Sequence, residues 1–151
     1  MSVRTDNHIV IDAPLEEVWR ITNDVANWPS LFTEYATAEI LEENADTVRF
    51  RLTMHPDEQG RVWSWVSERT VDARNRSVKA RRVETGPFEF MNIEWYYEPV
   101  EGGTKMRWVQ EFTMKPGAPA NDEQMEQYIN NNTKTQMAII KEKIEQRLAR
   151  T

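Results

Sequence analysis

The stretch RVWSWVSERTV, residues 61–71, predicts a β-strand with an arginine among tryptophans. Successive strand side chains point to opposite faces, so Arg69 shares a face with Trp63, Trp65 and Ser67. A buried guanidinium is costly without a partner and stays protonated at any accessible pH. It could therefore stabilise a ketone oxygen that gains negative charge during a reaction. The structural alternatives are a core ion pair or a side chain that reaches water at a strand edge.

Composition narrows the classes of protein. The chain has 151 residues, which most simply form one domain, 1–151, with 39% apolar and 29% charged residues. The absence of cysteine excludes disulfides and thiolate chemistry, and two isolated histidines, His8 and His55, are too few for a metal centre or a histidine triad. The net charge of −6 argues against general nucleic-acid binding.

The same text gives an expected location. No apolar run approaches the roughly 20 residues of a membrane-spanning helix. The first residues, MSVRTDNH, lack the apolar stretch of a secretory signal. We therefore expect a cytoplasmic protein that does not act at a membrane.

Periodicity predicts the order of the elements. NHIVID favours a strand, and a helix is expected to begin at Pro14; Pro29 is expected to separate two short helical segments. From about residue 35, apolar and polar residues alternate in six further runs with turn-rich stretches between them. Residues 121–150 return to helical spacing, although the polar stretch NNNTKTQ (residues 130–136) interrupts the apolar stripe.

This order predicts an α+β helix-grip fold. Seven antiparallel strands would curve around a long C-terminal helix, with two short helices beside them. One helix cannot fill the concave side of such a sheet, so inward side chains would surround a cavity. The six tryptophans and seven methionines would suit either a ligand cavity or a bulky ordinary core.

Long strings of the chain closely resemble bacterial type II polyketide aromatase/cyclases, of the single-domain tetracenomycin and spore-pigment types. The strings are RTDNHIVIDAPLEEVW, TNDVANWPSLFTEYATAEIL, GRVWSWVSERTV, RRVETGPFEFMN and MRWVQEFTMKPGAP, and the match runs in order from about residue 4 to residue 148. The family has the helix-grip fold, also called START-like or Bet v 1-like, which agrees with the periodicity.

The resemblance implies an activity and its partners. Family members bind a poly-β-ketone chain tethered to a phosphopantetheinylated acyl carrier protein and made by a minimal polyketide synthase. They direct one aldol cyclisation and dehydration, which join carbon 9 to carbon 14 in the first aromatic ring of a spore pigment or antibiotic. No metal and no organic cofactor is implied.

Residue chemistry and resemblance together give a candidate site. Arg69 and Tyr35, which matches a family active-site tyrosine, are the candidate catalytic residues, and Tyr35 would donate to the enolising carbonyl or relay a proton. Ser67 and Gln110 would offer neutral donors to other carbonyls. The expected cavity walls, which would exclude water and bend the chain, are Trp28, Phe32, Trp65, Met91, Trp95 and Trp108.

The general base is not evident from the sequence. No carboxylate or histidine obviously shares an inward face, although Glu34 lies beside Tyr35. The methylene between two ketones is already acidic, so a water held by Tyr35 and Arg69 could suffice.

A basic hairpin is a candidate docking surface, because acyl carrier proteins are typically acidic. The alternative is an ordinary solvated hairpin, and the last of its residues could instead point into the cavity. The residues are Arg74, Arg76, Lys79, Arg81 and Arg82.

Two other functions compete with the enzyme. The fold also serves non-catalytic binding modules for hydrophobic or polyketide ligands, and a third possibility is a partner that only stabilises a synthase complex. A lipid carrier would need an almost wholly apolar cavity. A substrate rich in ketones instead suits polar inward residues, which favours the enzyme; these residues are Arg69, Ser67, Gln110 and Tyr35.

Overall fold

A seven-stranded antiparallel sheet with the order β1-β7-β6-β5-β4-β3-β2 wraps around the C-terminal helix in the computed structural model, which describes residues 2–149. The arrangement is the one that the sequence predicts. The strands are β1 Val3–Ile11, β2 Tyr35–Glu43, β3 Thr47–Met54, β4 Ser64–Asp72, β5 Ser77–Arg82, β6 Phe88–Val100 and β7 Gly103–Met114. The helices are α1 Leu15–Thr22, α2 Trp28–Leu31 and α3 Asp122–Ala149, with a 3₁₀ turn at Val25–Asn27. The predicted end of the last helix, residue 150, lies outside the described residues.

Two predicted boundaries are wrong. The strand expected from residue 61 begins at Ser64, because residues 61–63 turn away into a loop that is hydrogen-bonded to Asp57. The first helix ends at Asn23, whose backbone and side-chain N–H groups both donate to the Trp19 carbonyl. Pro29 therefore does not separate the helices; it lies in the first turn of α2, where its missing N–H is tolerated.

The solid part of the core lies at one end of the sheet. There α1 packs on β6, with Trp19 edge-on to Tyr97 and the Thr22 hydroxyl 2.6 Å from the Tyr97 hydroxyl. The second half of α3 fills the same end with Ile140 and Ile144, which are almost fully buried. The polar first half of α3 lies at the other end, where the concave face is not filled.

Gly103 makes the closest backbone approach in the sheet. Its φ is +134°, and a Cβ there would lie 2.0 Å from the Ile11 carbonyl oxygen. We expect Gly103→Ala to lower the free energy of unfolding by about 3 kcal/mol or more, because the clash is with backbone that cannot rotate away.

Gly60→Ala is the matched control, since Gly60 also has a positive φ of +78° but no atom within 4 Å of the added Cβ. It should cost only about 1 kcal/mol. Urea unfolding of both variants measures the difference, and equal losses would show that the contact with Ile11 is unimportant.

Candidate functional site

A deep cavity of about 1000 Å³ lies between the concave face of the sheet and the first half of α3. Its mouth is formed by three segments, the loop 55–63, the β5–β6 connection and residues 119–120 before α3. All of the predicted catalytic and substrate-binding residues line this cavity: Arg69, Tyr35, Trp28, Phe32, Trp65, Ser67, Met91, Trp95, Trp108 and Gln110. Strand alternation places those that lie on β4, β6 and β7, whereas Trp28 and Phe32 reach the cavity from α2 and its C-cap. The roles of all ten residues stay predictions.

Arg69 lies at the inner end of the cavity and is 2% exposed. Its Nη2 donates to Asn23 Oδ1 at 2.9 Å, and Nη1 has no hydrogen-bond partner among residues 2–149. The guanidinium lies 5.0 Å from the ring centroid of Trp28 and 4.7 Å from that of Trp95. No ion pair within the described part of the chain includes Arg69, so it is not a core salt bridge.

Burial lowers the pKa of Arg69 to about 10, which leaves it cationic near neutral pH. Two aromatic faces and one amide compensate this charge only in part. A guanidinium in this state can donate to an oxygen that becomes negative inside the cavity, where water competes little.

Arg82 is a second cavity arginine. Its guanidinium lies 4.0 Å from the Trp65 ring centroid and 4.6 Å from that of Phe88. Burial lowers the pKa of Arg82 to about 10. Of the two placements that the sequence leaves open, Arg82 therefore takes the one inside the cavity, because it alternates in phase with the buried Val78 of β5.

Glu34 is a cavity residue to which the sequence alone assigns neither a face nor a role. It lines the cavity beside Tyr35, and its Oε2 accepts a hydrogen bond from Asn132 Nδ2 at 3.0 Å. Burial raises the pKa of Glu34, with the Asn132 bond opposing the shift. Burial, followed by the charge of Glu34, raises the pKa of Tyr35 well above its usual value, so the phenol stays protonated.

The signal for Glu34 was weak in the sequence. It precedes β2, where strand alternation has not yet begun, so no face could be assigned to it. The hydrogen-bond partner of Glu34, Asn132, belongs to the polar stretch 130–136, so the interruption of the apolar stripe was the second indication of this site.

The cavity walls are a series of stacked aromatic rings. Trp95 and Trp108 lie face to face, with centroids 4.4 Å apart and planes 8° from parallel. Trp28 stacks on Trp95 at 5.8 Å, and Phe32 on Trp108 at 6.0 Å. Such flat, rigid faces suit a planar, conjugated ligand.

The mouth is bordered by a loop that Asp57 organises. Its carboxylate accepts hydrogen bonds from the backbone N–H groups of Gln59 and Arg61 and from the Trp63 indole. Desolvation opposes ionisation, but these bonds lower the pKa of Asp57 to about 2. Trp63, predicted on the inward face of β4, is instead 38% exposed in this loop.

The basic hairpin lies away from the mouth. Its turn follows Asp72, which lies seven positions along β4 from Trp65, about 23 Å. Arg76 is paired with Glu16 of α1 and covers the Trp19 ring at 5.3 Å. Docking at Arg74, Arg76, Lys79 and Arg81 stays a prediction, but a tethered chain docked there would begin far from the cavity entrance.

The fold and the site define a class of protein, a helix-grip domain that encloses a large aromatic cavity with buried arginines. The model of the polyketide cyclase/dehydrase and lipid transport family matches residues 2–145. The chain belongs to this family. A Streptomyces cyaneus protein that carries the name polyketide cyclase is 57% identical over 146 residues, which cover 97% of this chain and 96% of that protein.

Solved structures agree on the fold. The Zhui aromatase/cyclase from Streptomyces sp. R1128 superimposes with a TM-score of 0.87 at 21% identity, over 98% of this chain and 96% of that one. A START superfamily protein from Mycobacterium smegmatis gives 0.71 at 14% identity, over 97% of each chain. The predicted helix-grip fold and the predicted membership of the polyketide cyclases, as enzymes, are confirmed.

Two kinds of feature are absent from residues 2–149. No helix between residues 2 and 149 is long and apolar enough to cross a membrane. Over the same range, no three histidine, aspartate or glutamate side chains are grouped so that they could hold a metal ion.

Proposed function

We propose that this polyketide cyclase folds a poly-β-ketone chain, presented by an acyl carrier protein, and directs its first intramolecular aldol condensation and dehydration. The observation that carries the proposal is Arg69, a buried cation without a carboxylate partner at the inner end of an aromatic cavity. A buried charge that no carboxylate among the described residues compensates favours a ligand on which negative charge develops.

The bond-forming step uses residues near Trp28. The Tyr35 ring stacks on the Trp28 indole at 6.1 Å, and the Arg69 guanidinium lies 5.0 Å from the same ring. Glu34 removes a proton from a methylene between two ketones, and the resulting enolate carbon attacks another ketone carbon of the chain. One carbon–carbon bond forms, the carbonyl π bond breaks, and Arg69 stabilises the alkoxide.

Dehydration completes the ring. Glu34, now protonated, or the Tyr35 phenol returns a proton to the alkoxide. Loss of a neighbouring methylene proton and of the hydroxyl as water gives a carbon–carbon double bond. Enolisation of the remaining ketones then makes the ring aromatic, and no oxidant is needed because oxygen leaves as water.

The regiochemistry rests on resemblance. Enzymes of the tetracenomycin and spore-pigment types, which this protein resembles, join carbon 9 to carbon 14 of the polyketide in the first ring. We propose that the same bond forms here. The depth of Arg69 supports a ring formed in the interior of the polyketide chain, since Arg69 lies five positions along β4 from Ser64 near the mouth, about 17 Å.

A non-catalytic carrier is the second candidate. The stacked tryptophans and the lipid-transport part of the family description favour it. Against it stand two cavity arginines outside any ion pair formed by the residues described, since an unpaired charge weakens the binding of an apolar ligand.

Reconstitution tests the proposal. A minimal synthase that makes a long chain is run alone, with the wild-type protein, and with Arg107→Ala, a control whose side chain lies on the outer face beside Asp6. We expect both proteins to replace the mixture of spontaneous products by one first-ring pattern. An unchanged mixture, with the chain still being made, would contradict the cyclase function and leave the carrier.

A further inference from the structure

The polar stretch 130–136 of α3 faces the site elements. Gln136 Nε2 donates to the Thr33 hydroxyl at 2.9 Å, and Gln136 Oε1 accepts from the Thr33 backbone N–H at 3.1 Å. Asn130 accepts a hydrogen bond from Asn7 of β1 at 2.8 Å, and Asn132 binds Glu34 as described above. The interruption of the apolar stripe therefore has a positioning role at the cavity end of the helix.

Thr133 of the same stretch contacts a cavity residue. Its hydroxyl donates to Gln110 Oε1 at 3.1 Å, and the Thr5 hydroxyl of β1 reaches the same oxygen at 3.4 Å. Thr5 and Thr133 are each 4% exposed. The amide oxygen of Gln110 is thus held between a strand and a helix by two buried hydroxyl groups.

The other end of the amide is left for a ligand. Gln110 lines the cavity, and its Nε2 has no hydrogen-bond partner within the part of the chain that the structure describes. A primary amide is planar, with an acceptor at one end and two donors at the other. Fixing Oε1 therefore directs the NH₂ group of Gln110 away from the two threonines.

We propose that Thr133 and Thr5 are positioning residues that keep Gln110 oriented as a hydrogen-bond donor to a ketone oxygen of the bound chain. The inference rests on the proposed function, because the chemistry of the ligand comes from it. A β-diketone in its keto form offers only acceptors, so the opposite amide orientation would bring two oxygens together. The hydroxyl pair thereby selects ligands rich in carbonyl groups.

Ligand binding tests this orientation without any need for turnover. The probe is 2,2-dimethyl-1-phenylbutane-1,3-dione, a small β-diketone that cannot enolise between its two carbonyls, titrated against tryptophan fluorescence. Thr133→Val keeps the shape of the side chain and removes the hydroxyl, so we expect about fivefold weaker binding. Thr133→Ser should bind like the wild type.

Two further variants control the result. Thr135→Val removes an exposed hydroxyl of the same helix, which contacts only the Asn131 carbonyl, and should leave binding unchanged. Both ends of a carboxylate carry an oxygen, so Gln110→Glu presents an oxygen to the cavity in either orientation of the side chain. If the wild type donates to the ketone, this variant should bind at least tenfold more weakly.

Side-chain amide NMR gives a readout that needs no variant. The two NH₂ proton signals of Gln110 should separate further when the diketone is added, because one of them becomes hydrogen-bonded. Normal binding by both Thr133→Val and Gln110→Glu, with unmoved NH₂ signals in the wild type, would overturn the orientation and leave the proposed function standing. Failure of the wild type to bind the diketone at all would count against both.

Discussion

Replacement of Arg69 by alanine is expected to abolish control of the first-ring pattern and to slow directed cyclisation about 10²- to 10³-fold. The reason is that Arg69 is the charged donor at the inner end of the cavity, with Nη1 unpaired among the residues described. The measurement is the product distribution of a reconstituted synthase, compared with the wild-type protein and with no cyclase at all.

A second substitution at Arg69 distinguishes a catalytic role from a structural one. Arg69→Met keeps the volume and removes a buried charge that lacks an ion-pair partner. Because losing this charge offsets the lost contacts with Trp28 and Trp95, the free energy of unfolding should fall by no more than about 1 kcal/mol. Urea unfolding checks this value, and a loss of several kcal/mol would mean that Arg69 is chiefly structural.

Glu34→Gln is expected to slow the reaction about 10²- to 10⁴-fold, the range for loss of a general base. Glutamine still accepts the hydrogen bond from Asn132, so the geometry is kept. In the wild type the rate should rise with pH as Glu34 loses its proton. The midpoint should lie above the usual glutamate pKa, because burial raises the pKa of Glu34. Single-turnover rates across pH measure both effects.

The contribution of Glu34 to the free energy of unfolding should change with pH in the opposite direction to the rate. The pKa of Glu34 is higher in the folded than in the unfolded protein, so its contribution to folding is fully present below the unfolded pKa and is lost as pH rises through the folded one. Urea midpoints of wild type and Glu34→Gln should diverge over that window.

If Glu34→Gln keeps the wild-type rate and the wild-type pH profile of the rate, Glu34 is not the general base. The base would then be a water held by Tyr35 and Arg69.

The sheet could be predicted because alternation is unambiguous where one face is buried. On β6, Met91, Trp95 and Tyr97 fall in phase, and on β7 Trp108 and Gln110 do the same, so the sequence alone places them on the concave face. The direction of Arg69 follows from the same rule, since it lies two residues from Ser67 and four from Trp65 in β4.

The remaining features depend on tertiary contacts. Trp63 leaves the strand because Asp57 holds its indole in a loop, and no local pattern encodes that hydrogen bond. Glu34 precedes β2 and meets Asn132 across 98 positions of sequence. The orientation of the Gln110 amide likewise needs Thr133 from the helix. Such partners are brought together by the fold and leave no periodic signal.

The most direct measurement is the connectivity of the first ring. A minimal synthase is supplied with doubly ¹³C-labelled extender units, and carbon–carbon couplings in the product are read with and without the wild-type protein. We expect the protein to concentrate the product in the species joined between carbon 9 and carbon 14. The same distribution of couplings with and without the protein would contradict this expectation.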